Sequence, residues 1–385
     1  METKGPLRVL VVHGALGWRE NEGGEIADVI YGLLRRVEAT GGQMLATDAR
    51  ALFRVERSGD DVDFVRIADL AAVVRADVDV VHVHMVTKLR RLLLALLFRL
   101  RGVPVVCSPM GMLGDDFATR SWFRQTSRVR LAVKRAMLRA RRSSWRVVAT
   151  TFVCTSRHEA RQAHLPAEKV ILLPLPVPRS TLAQRAIGGE PPPRRDHDAF
   201  PIAYVGRFDV RRKGIDRLAA WLEASRAEVP HPALRLFAPQ GDLPAAMDAL
   251  VADGIVDWDQ HTTGAELAET LRDCRGLVLL TRYEGQPRVL REAVLLGLPV
   301  ITTVSSNFAE VIDTLGAGVV VDGDRPSEVQ AAFHSIADLD ISRSAAAQLL
   351  DREHIGAFLH DQLVAVADGA AVARDYYAQS SRVSG

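Results

Sequence analysis

Short apolar runs separated by amphipathic stretches recur along this 385-residue chain, and the recurrence is broken once. The runs Leu7–Val12, Val78–His84, Val103–Ser108, Arg146–Cys154 and Val170–Leu173 read as strands, with helical patterns at Glu25–Glu38, Leu89–Leu100 and Ser127–Arg141 between them. A short continuous apolar run fits a strand buried on both faces, and its alternation with helices implies a parallel sheet covered on each side. The break, Leu173 to Arg195, carries Pro174, Pro176, Pro178, Gly188, Gly189 and Pro191 to Pro193, the composition of an interdomain connection. The alternation then resumes. Strands are expected at Pro201–Val205, Leu234–Phe237, Gly254–Trp258, Gly276–Thr281, Pro299–Thr303 and Gly318–Val321, and helices at 215–226, 243–252, 264–273 and 287–296. The fold class is therefore α/β with two Rossmann-like domains, spanning 1–178 and 199–355 around a linker at 179–198, followed by a C-terminal helix and tail at 356–385.

Composition narrows the function classes. With 48% apolar and 25% charged residues and a formal net charge of +2, the chain has no global charge that would draw it to nucleic acid. Cys107, Cys154 and Cys274 are odd in number, far apart and set in apolar runs, which predicts buried thiols in a reducing compartment rather than a disulfide or zinc framework. Met1 to Pro6 lack the apolar segment of a secretory signal, and no run approaches the ~20 apolar residues of a membrane span. A cytoplasmic location is expected. Charge is nonetheless uneven: no acid occurs between Asp116 and Glu159, while arginines recur among Trp122, Phe123, Leu131 and Met137. Such a mixture in 117–158 suits an anionic membrane surface, which would make the protein peripheral on the inner face of the membrane.

Two clusters carry chemistry. Tyr204-Val205-Gly206-Arg207 ends a strand, and Arg211-Arg212-Lys213-Gly214 precedes a helical pattern, so fixed cations stand at a strand's carboxyl end. Ligands of open α/β sheets bind at that edge, where helix amino termini also attract anions. In the second cluster, Glu284 lies in a strand-to-helix loop and Glu292 stands eight positions on, inside the helix. Pro287 suits that helix's first position and Gly297 lies just past its end. The backbone of Gly285, Gln286, Pro287 and Arg288 would approach a diphosphate from the helix end, while Arg207 and Lys213 neutralise its oxygens. His84, closing a strand, and His13, just after the first strand, reach a comparable edge in the amino-terminal half.

Gly206-Arg207, Lys213-Gly214, Glu284-Gly285 and Glu292, in that order and spacing, resemble retaining glycosyltransferases of family four. Gly23-Gly24 before a helix, Val80-Val81-His82-Val83-His84 and Ser108-Pro109-Met110-Gly111-Met112-Leu113 extend the similarity through most of the chain. The resemblance implies the GT-B fold: two Rossmann-like domains facing a cleft, with the C-terminal helix crossing back to the first domain. It also implies that Arg207 and Lys213 grip the diphosphate of a nucleotide sugar, Glu284 meets the sugar and Glu292 binds the ribose hydroxyls. Gly23 and Gly24 would let backbone approach donor phosphate and acceptor, and the Val256 region would meet the base. Met110 stands where most relatives have a histidine that contacts the donor sugar. Two further departures are Pro174-Leu175-Pro176 for the usual Pro-Asn-Gly, and Ser305-Ser306-Asn307-Phe308 for a common Gly-Gly.

The implied activity is transfer of a hexosyl unit from a nucleotide diphosphate sugar to a glycan or lipid-linked acceptor in polysaccharide or glycoconjugate synthesis, with no cofactor. Asp-x-Asp recurs along the chain without a phosphate loop, and two fixed cations already supply the charge a magnesium ion would, so metal independence is expected. Two other classes fit the same residues: a non-catalytic nucleotide-sugar or membrane-binding relative, and a GT-B nucleotide-sugar epimerase.

Overall fold

The computed structural model describes residues 5–13, 24–115, 128–177, 200–207, 209–229, 233–238, 243–262 and 264–380. Among them the chain divides into two compact units, one formed by the amino-terminal part to Pro176 together with Leu350–Val383, the other by Val177–Leu349.

The first unit is built on a sheet in the order β4-β3-β2-β1-β5-β6-β7-β8. Its strands are β1 (Arg8–Val12), β2 (Gln43–Thr47), β3 (Ala51–Ser58), β4 (Asp61–Asp69), β5 (Val80–His84), β6 (Val105–Ser108), β7 (Thr151–Cys154) and β8 (Val170–Leu172). From β2 through β1 to β8 the pairing is parallel, and β1, β5, β6 and β7 are buried almost throughout, as continuous apolar runs require. The sheet is not wholly parallel, as the apolar runs suggested. β3 pairs antiparallel with both β2 and β4. These two strands escape a search for apolar runs because Arg54, Glu56, Asp61 and Asp63 alternate with their buried residues, the pattern of a strand with one wet face.

The second correction concerns 146–154. The helix expected to stop at Arg141 runs from Arg128 to Val148, and the strand begins only at Thr151. Leu138, Arg142, Trp145 and Val148 are all buried, and their three- and four-residue spacing puts them on one helical face. That face continues the helix through residues whose apolar character resembles a strand start.

The second unit holds β9 (Ile202–Val205), β10 (Leu234–Phe237), β11 (Val256–Asp259), β12 (Leu277–Leu279), β13 (Val300–Thr303) and β14 (Gly318–Val321) in the order β11-β10-β9-β12-β13-β14. All their pairings are parallel. Expected element limits hold to within about two residues here, an ordinary margin for element ends. Gly276–Thr281 is trimmed at both ends, so only three residues form the ladder.

The C-terminal helix Arg352–Ala367 returns to the first unit and crosses the helix Gly24–Ala39 at two glycines. A Cβ on Gly32 would lie 1.8 Å from the Arg352 carbonyl oxygen, and one on Gly356 would lie 2.1 Å from the Gly32 carbonyl carbon. Only glycine permits that closeness. Arg352 stacks over the Tyr31 ring at 3.7 Å, and the last segment is tied to the sheet edge by Leu172 N to Arg374 O (2.8 Å) and Tyr377 Oη to Thr155 O (2.8 Å). Cys107, Cys154 and Cys274 are buried free thiols. No described helix is long and apolar enough to cross a membrane.

Candidate functional site

In the second unit β9 and β12 are parallel neighbours, so the loops that follow them leave from one edge. After β9 come Gly206 and Arg207, then a one-turn helix, Val210–Lys213, whose amino end Asp209 caps by accepting from Arg212 N at 3.2 Å. Gly214 ends the turn at φ +77°, and a Cβ there would sit 2.0 Å from the Leu280 carbonyl oxygen. Glycine therefore lets the turn close onto the end of β12. The closure is sealed by Arg282 N and Thr281 Oγ1, both donating to Arg212 O at 2.8 Å.

That docking seats Lys213 beside the next loop. Its Nζ lies 2.6 Å from Glu284 Oε1, and Arg212 Nη2 lies 3.1 Å from the same oxygen. The Lys213 and Glu284 side chains are only 13% and 14% exposed, which shields their attraction from water. Burial, together with the negative charge of Glu284, raises the pKa of Tyr204. The Tyr204 hydroxyl in turn donates to Arg207 O at 3.4 Å. Arg207 itself is exposed, and among the described residues its guanidinium has no ion-pair partner. The structure thus joins Lys213 to Glu284 and starts Arg207 from the same strand end.

Glu284 is held by its backbone as well as by its charge. Its N–H donates to Ser305 O (3.1 Å), Asn307 Nδ2 donates to its carbonyl (2.7 Å), and Gln286 Nε2 donates to Asn307 O (3.1 Å). Asn307 takes the left-handed conformation, φ +58°, which asparagine tolerates better than other side chains. The Ser305-Ser306-Asn307-Phe308 segment therefore latches the acidic loop without the glycines it replaces. Pro287 occupies the cap position, one residue before the helix Arg288–Leu296, and offers no side-chain acceptor to the first-turn amides. Gln286 and Pro287 are buried, Arg288 is exposed, and Gly297 closes the helix at φ +79°. Glu292 is buried within that helix, beyond the loop that carries Glu284.

Val256 is not brought to this edge. It opens β11 opposite Leu234, which pairs with Ile202, so it stands at the amino end of the sheet with its side chain buried. The carboxyl edge of β11 is Asp259, whose carboxylate accepts from the N–H groups of His261 and Thr262 at 2.9 Å. Beside it lies a cavity of about 490 Å³ lined by Arg235, Asp257, Trp258, Gln260, His261 and Thr270. Several aspartates of the Asp-x-Asp copies have arginine partners: Asp77 and Asp79 with Arg8, Asp257 with Arg235, and Asp324 with Arg217.

In the first unit the corresponding edge is imidazole-lined. His13 follows β1, His84 ends β5 and Ser108 ends β6, on neighbouring strands. The His82 and His84 ring centres are 4.0 Å apart, those of His13 and His84 6.3 Å, and His82 Nε2 meets Ser108 Oγ at 2.8 Å. Burial pushes His13 down to about 4 and His82 to about 3, and holds His84 well below its ordinary value; the Arg91 guanidinium adds to the effect on His13 and His84. The rings are neutral donors and acceptors at physiological pH.

Met110 adopts φ +51° and Gly111 φ +76° in the loop after β6. Gly111 N donates to the buried Glu159 at 2.5 Å, and Thr155 supplies two further donors to the other carboxylate oxygen at 2.8 and 3.0 Å. Glu159 was not singled out from sequence, although Ser156-x-x-Glu159 is a capping box and Ser156 Oγ does accept from Glu159 N at 2.9 Å. Arg212 and Asn307 were likewise not assigned roles. Gly24 opens its helix, whereas Gly23 lies outside the described residues.

Residues 8–176 match the family model of the glycosyl transferase 4-like domain, and residues 199–338 match that of the glycosyl transferases group 1. The chain belongs to the group 1 glycosyltransferases, family four, with the GT-B fold. Solved structures agree on the fold. AviGT4, a glycosyltransferase involved in avilamycin A biosynthesis, is 17% identical, with a TM-score of 0.54 over 95% of this chain and 99% of its own. A UDP-forming α,α-trehalose-phosphate synthase from Burkholderia vietnamiensis is 13% identical, with a TM-score of 0.55 over 96% and 99%. Sucrose-phosphate synthase from Thermosynechococcus elongatus is 16% identical, with a TM-score of 0.51 over 99% and 98%. No curated protein matches the chain.

Proposed function

We propose that this glycosyltransferase is retaining and metal-independent, and moves a hexosyl unit from a nucleotide diphosphate sugar to a glycan or lipid-linked acceptor in cell-surface polysaccharide or glycoconjugate synthesis. The observation that carries the reading is the close, largely buried contact of Lys213 with Glu284, set beside an exposed Arg207 at one sheet edge.

As the glycosidic C–O bond of the donor breaks, negative charge builds on the leaving diphosphate. Arg207, Lys213 and the amides at the start of the helix Arg288–Leu296 stabilise that charge, the electrostatic work a metal would otherwise perform. A diphosphate draws Lys213 toward its oxygens, and Glu284 is then free to accept hydrogen bonds from sugar hydroxyls while Arg212 keeps it oriented. Glu292 binds the ribose. The acceptor hydroxyl attacks the anomeric carbon on the face the diphosphate leaves, and a phosphate oxygen takes its proton, so configuration is kept. The neutral rings of His13 and His84 suit uncharged hydroxyls of the acceptor. The enzyme works in the cytoplasm, peripheral on the inner face of the membrane.

Product formation from a panel of radiolabelled nucleotide diphosphate sugars tests the reading. Arg207→Ala and Glu284→Ala are expected to abolish transfer with the fold intact, and added chelator to leave the rate unchanged. Undiminished turnover in both variants would refute the assignment.

A further inference from the structure

The helix Leu89–Leu100 presents an apolar stripe to solvent. Its inner face buries Arg91, Leu94, Ala95 and Phe98. On the opposite side Leu89, Leu93, Leu96 and Leu100 are between 37% and 78% exposed. At 3.6 residues per turn these four leucines fall within about 60° of arc, diametrically opposite the buried face. Arg90 and Arg99 stand on either side of the stripe. An ordinary surface helix puts polar groups there, and a leucine row in water marks an interaction site.

The neighbouring helix Arg128–Val148 packs against it and adds exposed positive charge. Arg135, Arg139 and Arg146 fall within about 40° of arc and form an exposed row, and Val133 and Met137, one turn apart, are exposed on the other flank of the same helix. Neither helix contains an aspartate or glutamate.

We propose that these two helices dock the protein on an anionic phospholipid bilayer, the leucine stripe entering the acyl boundary and the arginine row meeting the headgroups. The charge of the surface selects this occupant. A second copy of the chain would bring two wholly basic faces together, and a nucleic acid would satisfy the arginines but leave the leucines in water. A bilayer with acidic headgroups accommodates both. This docking gives the peripheral placement proposed for the enzyme a physical basis, and its test contains no sugar, so docking and transfer can fail separately.

The test is flotation of the full chain with vesicles of phosphatidylcholine alone or with about 30% phosphatidylglycerol, a range in which basic residues sense the surface potential. The wild type is expected to float with the anionic vesicles and to remain behind with the neutral ones. Leu93→Ser with Leu100→Ser, both at exposed positions, should weaken partitioning about tenfold at an unchanged thermal midpoint. Arg135→Ala and Arg139→Ala should each cost about fivefold, equal to ~1 kcal/mol, and only this part should fade at high salt. Absence of wild-type flotation with anionic vesicles would overturn the proposal, as would unweakened flotation of the folded leucine variant. A dimer that the leucine substitutions dissociate, seen by light scattering without vesicle binding, would assign the stripe to a second copy instead.

Discussion

The two sheets of this protein present their carboxyl edges in opposite electrostatic states. In the second unit the edge carries Arg207 and, around one carboxylate, Arg212 and Lys213, with Glu284 Oε1 3.1 Å from Arg212 Nη2 and 2.6 Å from Lys213 Nζ. In the first unit the edge carries His13 and His84, buried and uncharged, with the Arg91 guanidinium turned onto the backbone oxygens of His84 and Met85. Parallel strands and amino-terminal helix ends are common to both. Architecture supplies the place, and the first residues past each strand decide whether that place suits an anion or a neutral hydroxyl.

Breaking the charged edge should have the largest effect. Arg207→Ala is expected to lower kcat by about 10³, the scale of removing one preorganised donor from developing negative charge. Glu284→Ala should do as much; thermal unfolding of Arg207→Ala stays near wild type because Arg207 is exposed, while Glu284→Ala lowers the midpoint without unfolding the chain, because Lys213 loses a largely buried partner. Initial rates at saturating donor check this. A loss confined to KM would mean that these groups bind substrate and reaction alike, and would remove them from the catalytic step.

Acidification should break the neutral edge next. His13 titrates near 4 and His82 near 3 in the folded chain, against about 6.5 unfolded. Between those values the unfolded chain binds protons that the folded chain refuses, so stability is full above about 6.5 and falls as pH drops toward 4. His13 alone accounts for about 3 kcal/mol across that window. The measurement is the denaturant midpoint from pH 7.5 to 4 for wild type and for a His13→Asn, His82→Asn variant. An equal slope in the two would show that the imidazoles are not the source.

These contrasts were partly legible before any coordinates. The alternation of apolar runs and amphipathic stretches exposes the parallel strands because burial on both faces leaves no polar residue to interrupt them. It hides β3 and β4, whose Arg54, Glu56 and Asp63 face outward, and it mistakes Arg146 to Val148 at a helix end for the start of a strand. At the site, Lys213-Gly214 and Glu284 stand out because glycine at φ +77° and a carboxylate at a loop are short-range features. Arg212, Asn307 and Glu159 act through loops dozens of residues apart in the chain, at separations of 72, 23 and 48 for the bonds that define them. No local pattern reports such pairings. Val256 shows the converse error, since a strand can be found correctly while the end that reaches the ligand edge is misjudged by three residues.

The smallest effects come from two residues held in the same left-handed conformation, one in each unit. Asn307 has φ +58° and uses its side chain to hold the Glu284 carbonyl at 2.7 Å; Met110 has φ +51° and cannot hydrogen-bond in return. A left-handed residue other than glycine or asparagine costs about 1–2 kcal/mol. Asn307→Met should therefore destabilise by about 2 kcal/mol, the strain plus the lost bond, and should also lower turnover because the loop bearing Glu284 loosens. Met110→Asn is the mirror experiment. It relieves the strain while Glu159 still fixes Gly111, so stability should rise by about 0.5–1 kcal/mol in a thermal-unfolding assay. If Met110→Asn instead destabilises, the methionine side chain must be packing in a way that outweighs its backbone strain, and the loop after β6 owes its shape to that contact rather than to Glu159.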